Sequence, residues 1–425
     1  MTSEPRRADV PREAYVWIWL PGQTEPVVAG RLAPTPAGLQ FNYGRSYLAR
    51  EDAIALYLPE LPLRAGVLPL PAGLSMPGCL RDAAPDAWGR RVILNRLLGR
   101  DAQDADADML DELTYLLQSG SDRIGALDFQ TSATHYRARA SDGATLEELL
   151  ESAARVERGL PLSPALAQAL QHGTSIGGAR PKATLTDGGR KWIAKFSSSG
   201  DVYPVVKAEF VAMRLAALAG LDVAPVELVQ AAGKDVLLVE RFDRLRHADG
   251  RWRRRALVSA LTLLGLDEMM AAYASYQDLA EIIRHRFAAP RDTLRELFAR
   301  LVFNILCGNT DDHARNHAAF WDGQSLSLTP AYDVCPQLRA GQEATQAMKI
   351  QGDSRYSRLA DCVMAAGQFH LSPAQARDII DVQLACIRRN WDAVCREARL
   401  GEAERDALWG RQFLNPFALQ GYEAH

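Results

Sequence analysis

An α+β fold is predicted for this chain, because short strand-like runs fill its beginning while helical patterns dominate almost everything beyond Arg255. Its 425 residues, 48% of them hydrophobic, are enough to build two or three packed units with sizeable cores. Residues 15–20, 27–32 and 39–43 are short runs separated by Pro, Gly and Thr, so 1–110 reads as a small β-rich N-terminal subdomain. A Leu- and Glu-rich helix beginning near Ala144 leads into strand-like sequence, which makes 144–244 an α+β lobe. The remaining segment, 255–425, reads as a mostly helical C-terminal lobe. Its longest helix is expected over 373–400, where Ser372 can cap and Pro373 can occupy the first turn.

A formal net charge of −3 argues against a general nucleic-acid binder. The local exception is the stretch holding Arg241, Arg244, Arg246, Arg251, Arg253, Arg254 and Arg255 around an Asp249-Gly250 turn. Such a patch suits an acidic protein, a tRNA-bearing substrate or DNA held by a partner, and a solvated basic hairpin is the commoner arrangement. The six cysteines form no C-x-x-C pair and no His/Cys metal spacing, so they read as reduced thiols. Residues 1–13 lack the apolar run of a signal peptide, and the apolar stretch 256–266 is too short to span a bilayer. No membrane association and a cytoplasmic location are therefore expected.

The chemistry concentrates in Gly308-Asn309-Thr310-Asp311-Asp312-His313-Ala314-Arg315-Asn316 and in Tyr332-Asp333. One carboxylate stands five residues before an Asn, and another follows further on. Phosphoryl transfer from ATP uses one Asp to orient the acceptor hydroxyl, with an Asn and a second Asp holding Mg²⁺ against the phosphates. The D-x-x-x-x-N spacing selects Asp311 over Asp312 as the base. An ordinary loop also favours Asn, Asp and Gly. Ahead of it, Leu294, Leu297, Phe298, Leu301, Val302, Ile305 and Leu306 recur at helical spacing and predict a core-anchored helix that ends at Gly308. Behind it, residues 318–320 and 326–329 flank an Asp322-Gly323 turn and predict a hairpin that carries Asp333 back beside Asn316.

A means of holding ATP precedes this cluster in the order a kinase needs. Thr174-Ser175-Ile176-Gly177-Gly178-Ala179-Arg180-Pro181-Lys182 is a loop of small residues able to close over phosphates, ending in a lysine that neutralises them. It is not a Walker A motif, and a Gly-Gly pair is often only a turn. The run Trp192-Ile193-Ala194-Lys195-Phe196 alternates as a strand, which puts Lys195 and Ile193 on one face; Lys195 is either a phosphate contact or a solvated strand lysine. A helix over 206–219, with Val206, Phe210, Met213 and Ala217 on one side, offers Glu209 as an ion-pair partner for Lys195. Residues 236–239 read as a buried strand running into Glu240-Arg241-Phe242-Asp243-Arg244, where a hinge between lobes would meet adenine. A small mixed lobe followed by a helical one matches the two-lobed protein-kinase-like architecture.

Across most of its length the chain resembles the HipA-type serine/threonine kinase toxins of bacterial type II toxin–antitoxin systems. The stretch Ser175 to Lys182 looks like that family's phosphate loop, Lys195 like its nucleotide lysine, Val239 to Arg244 like its V-E-R-F-D-R hinge, and Asn309 to Asn316 with Leu328 to Val334 like its catalytic and metal segments. The resemblance implies ATP and Mg²⁺ as cofactors, Asp311 as catalytic base, and Asn316 and Asp333 as metal ligands. It implies ATP contacts from Gly177, Gly178, Ala179, Lys182, Lys195, Glu240 and Phe242, with His313 touching the phosphates or the metal. Ser175 would be an inhibitory autophosphorylation site, with Thr174 as a possible second. Its partners would be a protein substrate, of the translation apparatus or its regulators, and a helix-turn-helix antitoxin through which DNA is met indirectly. The charged stretch from Leu80 to Arg91 resembles the family's N-terminal subdomain, and structural ion pairs are favoured there over catalysis.

Two departures qualify the resemblance. Where many members carry an acidic, Cys- and Gln-containing motif after the hinge, residues 256–265 are apolar and dotted with Ser and Thr, which leaves the substrate open. Asp312 stands where a Gly is frequent, and it either alters metal binding or acceptor choice or simply points outward. The same loop chemistry would serve a small-molecule phosphotransferase, and a catalytically silent corepressor acting with a DNA-binding antitoxin is a third reading. Intact Lys195, Asp311, Asn316 and Asp333 weigh against the silent form.

Overall fold

The structure is a computed structural model that describes residues 11–99, 106–139, 144–163, 166, 170, 178–339 and 341–423. It divides into two compact units, one made of 1–191 with 243–256 and the other of 192–242 with 257–425. The expected lobe 144–244 is thus shared between them, with 144–191 and 243–244 in the first unit and 192–242 in the second.

In the first unit, strands β1 (Ala14–Ile18), β2 (Val27–Thr35), β3 (Gly38–Tyr43) and β4 (Leu127–Gln130) form an antiparallel sheet in the order β3-β2-β1-β4. Its core takes Val16, Ile18, Leu32, Phe41 and Phe129, each at most 1% exposed. Helix α1 (Ala87–Leu98) starts where the Asp86 carboxylate accepts from the Gly89 N–H, and Arg90 on it pairs with Glu112 of α2 (Glu112–Gln118) at 2.6 Å. The 80–91 charges therefore serve as a cap and an ion pair. Helix α3 (Leu146–Glu157) opens on a capping box between Thr145 and Glu148, and β5 (Lys182–Asp187) follows.

The basic stretch forms a hairpin of β9 (Arg244–Arg246) and β10 (Trp252–Arg254), and ion pairs hold part of its charge. Arg244 is buried, pairing with Asp122 and Asp243, while Arg251 pairs with Asp249 and Glu25. Arg254 donates to the Ser121 carbonyl and stacks 3.4 Å over the Trp19 ring.

In the second unit, β6 (Arg190–Phe196, of which 192–196 belong here), β7 (Val226–Ala231) and β8 (Lys234–Glu240) form antiparallel pairs in the order β6-β8-β7, with Lys195 opposite Leu237. Helix α4 (Val205–Leu218) follows β6. Val206, Phe210 and Met213 are buried as expected, but Ala217 is exposed because the last turn runs past the surface that covers the rest. Further helices are α5 (Tyr276–Arg286), α6 (Pro290–Cys307) and α7 (Pro373–Glu397), the last with a Ser372/Gln375 capping box.

The region beyond Arg255 is less purely helical than expected, since β11 (Ala256–Ser259), β12 (Ala318–Trp321) and β13 (Leu326–Leu328) form a three-stranded sheet. The apolar 256–265 run begins as strand and continues as a single helical turn. Periodicity cannot separate those states in so short an apolar run. The fold class is α+β as predicted, and among the described residues no helix is long and apolar enough to cross a membrane.

Candidate active site

Helix α6 delivers the loop of residues 309–316. Its seven apolar stripe residues, Leu294 to Leu306, are all 0% exposed, so its end is anchored in the core. Gly308 terminates it at φ 72°, and a Cβ there would lie 2.6 Å from the Gln412 carbonyl oxygen, which leaves room for no other residue. In the loop, the Asp311 carbonyl accepts from the His313 N–H at 2.9 Å and from the Asn316 side-chain amide at 3.0 Å. The β12–β13 hairpin then returns the chain as the pattern predicts. Tyr332 donates its hydroxyl to the Arg315 carbonyl at 2.7 Å, and Asn309 donates to the Asp333 carbonyl at 3.5 Å. The loop and the 332–333 segment are thus tied by hydrogen bonds at both ends.

Lys195 lies on the less buried face of β6 and donates to Glu209 of α4 at 2.5 Å and, as tightly, to Asp333. Burial alone would lower the lysine pKa, but the Asp333 and Glu209 carboxylates outweigh it and hold it above its ordinary value. Asp333 sits at φ 58°, a left-handed conformation that Asp tolerates better than most residues and that recurs at functional sites. The Asp311 carboxyl is raised by partial burial, opposed by His313, and raised further by the Asp333 and Asp312 charges. A carboxyl raised by neighbouring acids is suited to accepting a proton.

Asp312 does not point outward. It is 1% exposed, accepting from His317 Nε2 at 2.8 Å and from the Tyr276 hydroxyl. Burial pushes its pKa up, but His317 and the hydrogen bonds from Tyr276 and Asn304 bring it below the ordinary value. Removing this side chain empties a buried polar cluster, so Asp312→Gly is not the silent control that an outward carboxylate would provide. Asn304, Asn309, Tyr276 and His317 belong to the same cluster and escaped the sequence reading. The polar Asn304 within the otherwise apolar last turns, 301–307, was the available signal.

The other expected contacts fall in both units. Glu240 closes β8 opposite Trp192, and Phe242 packs against Phe320 and Tyr332 with ring centroids 5.9 and 5.6 Å away. His313 is half-buried, and its Nδ1 is buried with no hydrogen-bond partner. In the first unit Gly178 and Ala179 are exposed, whereas Lys182 is 4% exposed with its amine 4.0 Å from Asp86. Gly178 has φ +108°, and a Cβ there would strike the Lys182 amine at 2.1 Å. Lys182 is therefore largely buried, with its amine beside Gly178 and Asp86. Thr174, Ser175 and Gly177 lie outside the described residues. The donor set fits Mg²⁺: Asn316 and the 38%-exposed Asp333 side chain offer few, hard oxygens to an ion that keeps several waters and takes phosphate oxygens.

A family model described as the HipA-like C-terminal domain matches residues 174–391, and one described as the HipA N-terminal domain matches 18–130. The chain belongs to the HipA family. This HipA-family chain is 29% identical over 191 residues to the serine/threonine-protein kinase toxin HipA of Shewanella oneidensis, a match covering 38% of this chain and 42% of that protein. It is 38% identical over 131 residues to Y4mE of Sinorhizobium fredii, covering 30% of this chain and 31% of the other. The matched stretches thus span less than half the length of these relatives. A solved complex of Shewanella oneidensis HipA, HipB and operator DNA contains a chain with a TM-score of 0.65 and 19% identity, covering 93% of this chain and 94% of that one. Its likeness supports the α+β HipA fold.

Proposed function

We propose that this HipA-family chain is an ATP- and Mg²⁺-dependent serine/threonine protein kinase. The observation that carries the reading is Lys195, held between Glu209 and Asp333 in the unit that also holds Asp311 and Asn316. Such a lysine, fixed by one acid from a helix and another from the metal-binding position, is what positions the phosphates of ATP in a kinase. Asp311 orients the acceptor hydroxyl and takes its proton, and its raised pKa brings it closer to neutral pH. Asn316 and Asp333 hold Mg²⁺, which when bound neutralises charge on the transferring phosphoryl group. Glu240 and Phe242 present the hinge to adenine, and His313 turns its unpartnered imidazole nitrogen to phosphate or metal.

The remaining assignments follow the family: a β-rich subdomain over 1–110, a nucleotide-binding lobe over 144–244 and a catalytic lobe over 255–425. The glycine loop carries Ser175 as an autophosphorylation site, and Gly177, Gly178 and Ala179 close over the phosphates. The target is a protein, with one of the translation apparatus favoured, and a cytoplasmic location follows. The Shewanella relative was solved with HipB and operator DNA, so a helix-turn-helix antitoxin that brings DNA to this chain is the corresponding partner. Incubation of purified protein with labelled ATP and Mg²⁺, followed by phosphosite mapping, tests the reading. Label on Ser175 or on an added protein is expected. Label only on small molecules would make the chain a different phosphotransferase, and no transfer at all would end the assignment.

A further inference from the structure

We propose that Asp312, His317 and Tyr276 are a buried positioning unit that sets the catalytic loop for phosphoryl transfer; this rests on the kinase reading above. The three side chains are 1%, 3% and 0% exposed, so water does not compete for their hydrogen bonds. Asp312 Oδ1 accepts from His317 Nε2 at 2.8 Å and its Oδ2 accepts from the Tyr276 hydroxyl, which also lies 3.3 Å from His317 Nε2. The Tyr276 ring meets the imidazole edge-on, with centroids 5.5 Å apart.

The placement of these groups gives them leverage. Residues 312 and 317 bracket the short turn of 314–316, and their side chains close across its base. Asp311 precedes one anchor and Asn316 precedes the other, so fixing the anchors fixes the base and the metal ligand together. The two are already joined by the Asn316 amide on the Asp311 carbonyl. His317 and its partner Tyr276 are in turn held from outside the loop. The His317 carbonyl accepts from the Ala260 N–H at 2.7 Å, while the Tyr276 N–H donates to the Lys349 carbonyl at 2.9 Å.

Stability alone is a poor reason for such a cluster. Apolar side chains of similar volume commonly fill a core as well as a buried charged pair or better, whereas charge-assisted bonds fix direction. Rigid support behind reacting groups is what directional bonds supply, and small displacements of those groups cost large factors in rate.

The test measures turnover per ATP-binding site, so that misfolded protein does not count. Asp312→Asn keeps the shape but leaves one acceptor oxygen for the two donors His317 and Tyr276, and it should lower kcat about 10- to 100-fold while KM for ATP stays within about twofold. Tyr276→Phe, which removes one hydroxyl and carries the test if Asp312→Asn does not fold, should lower kcat about 3- to 10-fold by the same loosening. The double variant should lose no more than Asp312→Asn alone, because both changes break one bond. Unchanged kcat in the folded single variants, or losses that multiply, would overturn the proposal. If wild-type protein transfers no phosphate, the kinase reading fails, and hydrogen exchange then decides the bracing. Faster exchange of the His313 and Asn316 amides in the variants would support it, and equal exchange would reject it.

Discussion

Buried charge is handled in opposite ways in the two units. Around the fully buried Arg123 the first unit closes its charges on one another: Asp128 accepts from Arg123 at 2.8 Å and from Arg139 at 2.9 Å, and Arg123 donates to the Ala83 and Leu116 carbonyls. The second unit sets Asp333 and Glu209 on one lysine, and Asp311, raised by burial and by the Asp333 and Asp312 charges, is left above its ordinary pKa. A closed network contributes to stability or specificity, whereas a cluster with surplus acid keeps binding capacity for a cation and a proton. The difference accords with the proposed placing of the chemistry in the second unit.

The sharpest way to break the comparison is to neutralise an acid in each unit's cluster and read rate and stability separately. Asp311→Asn and Asp333→Asn should each lower phosphoryl transfer about a thousandfold or more, since they remove the base and a metal ligand. Near-wild-type transfer in either would show that the surplus acid is incidental. In the first unit, Arg123→Met leaves Asp128 buried beside Arg139 alone, and denaturant melts should show a loss of about 3–5 kcal/mol.

pH separates the two regions by sign. Burial pushes the Asp128 carboxyl up, but Arg123 and then Arg139 more than reverse it, bringing it down to about 2. Its folded pKa is below the ordinary value, so its stabilisation is present above about pH 4 and is lost as pH falls toward 2, roughly 2–3 kcal/mol in urea melts. Asp311 has a raised folded pKa, so its protonation favours folding below the ordinary carboxylate range and its ionisation costs stability as pH rises. Asp311→Asn should therefore melt at or above the wild-type temperature at pH 7, and a clear fall would show that the ionised carboxylate is structural.

The smallest effect belongs to the hairpin. Arg251 is 54% exposed and pairs with Asp249 and Glu25 at the surface, so Arg251→Ala should leave Tm unchanged. A measurable drop would mean that the basic stretch contributes to stability beyond Arg244.

Much of this was legible in the residue pattern. The apolar stripe of α6 and its glycine stop, the β12–β13 hairpin, the alternation that puts Lys195 on the less buried face and the Glu209 partner are local or helical-period signals, and each stands where the spacing put it. The Lys182 environment and the Asp312 cluster were not legible, because their partners lie far along the chain. Lys182 sits beside Asp86, and Asp312 meets Tyr276 from 36 residues away.

By itself the sequence determined the α+β class, the order of the candidate phosphate, lysine and metal segments, and the choice of Asp311 through its distance to Asn316. These are properties of spacing, which the chain carries whether folded or not. Only the tertiary structure decided which carboxylates are buried, which are paired, and which retain a raised pKa. Those depend on desolvation and on charges brought together from distant segments, as Asp333 is brought to Lys195 across 138 residues.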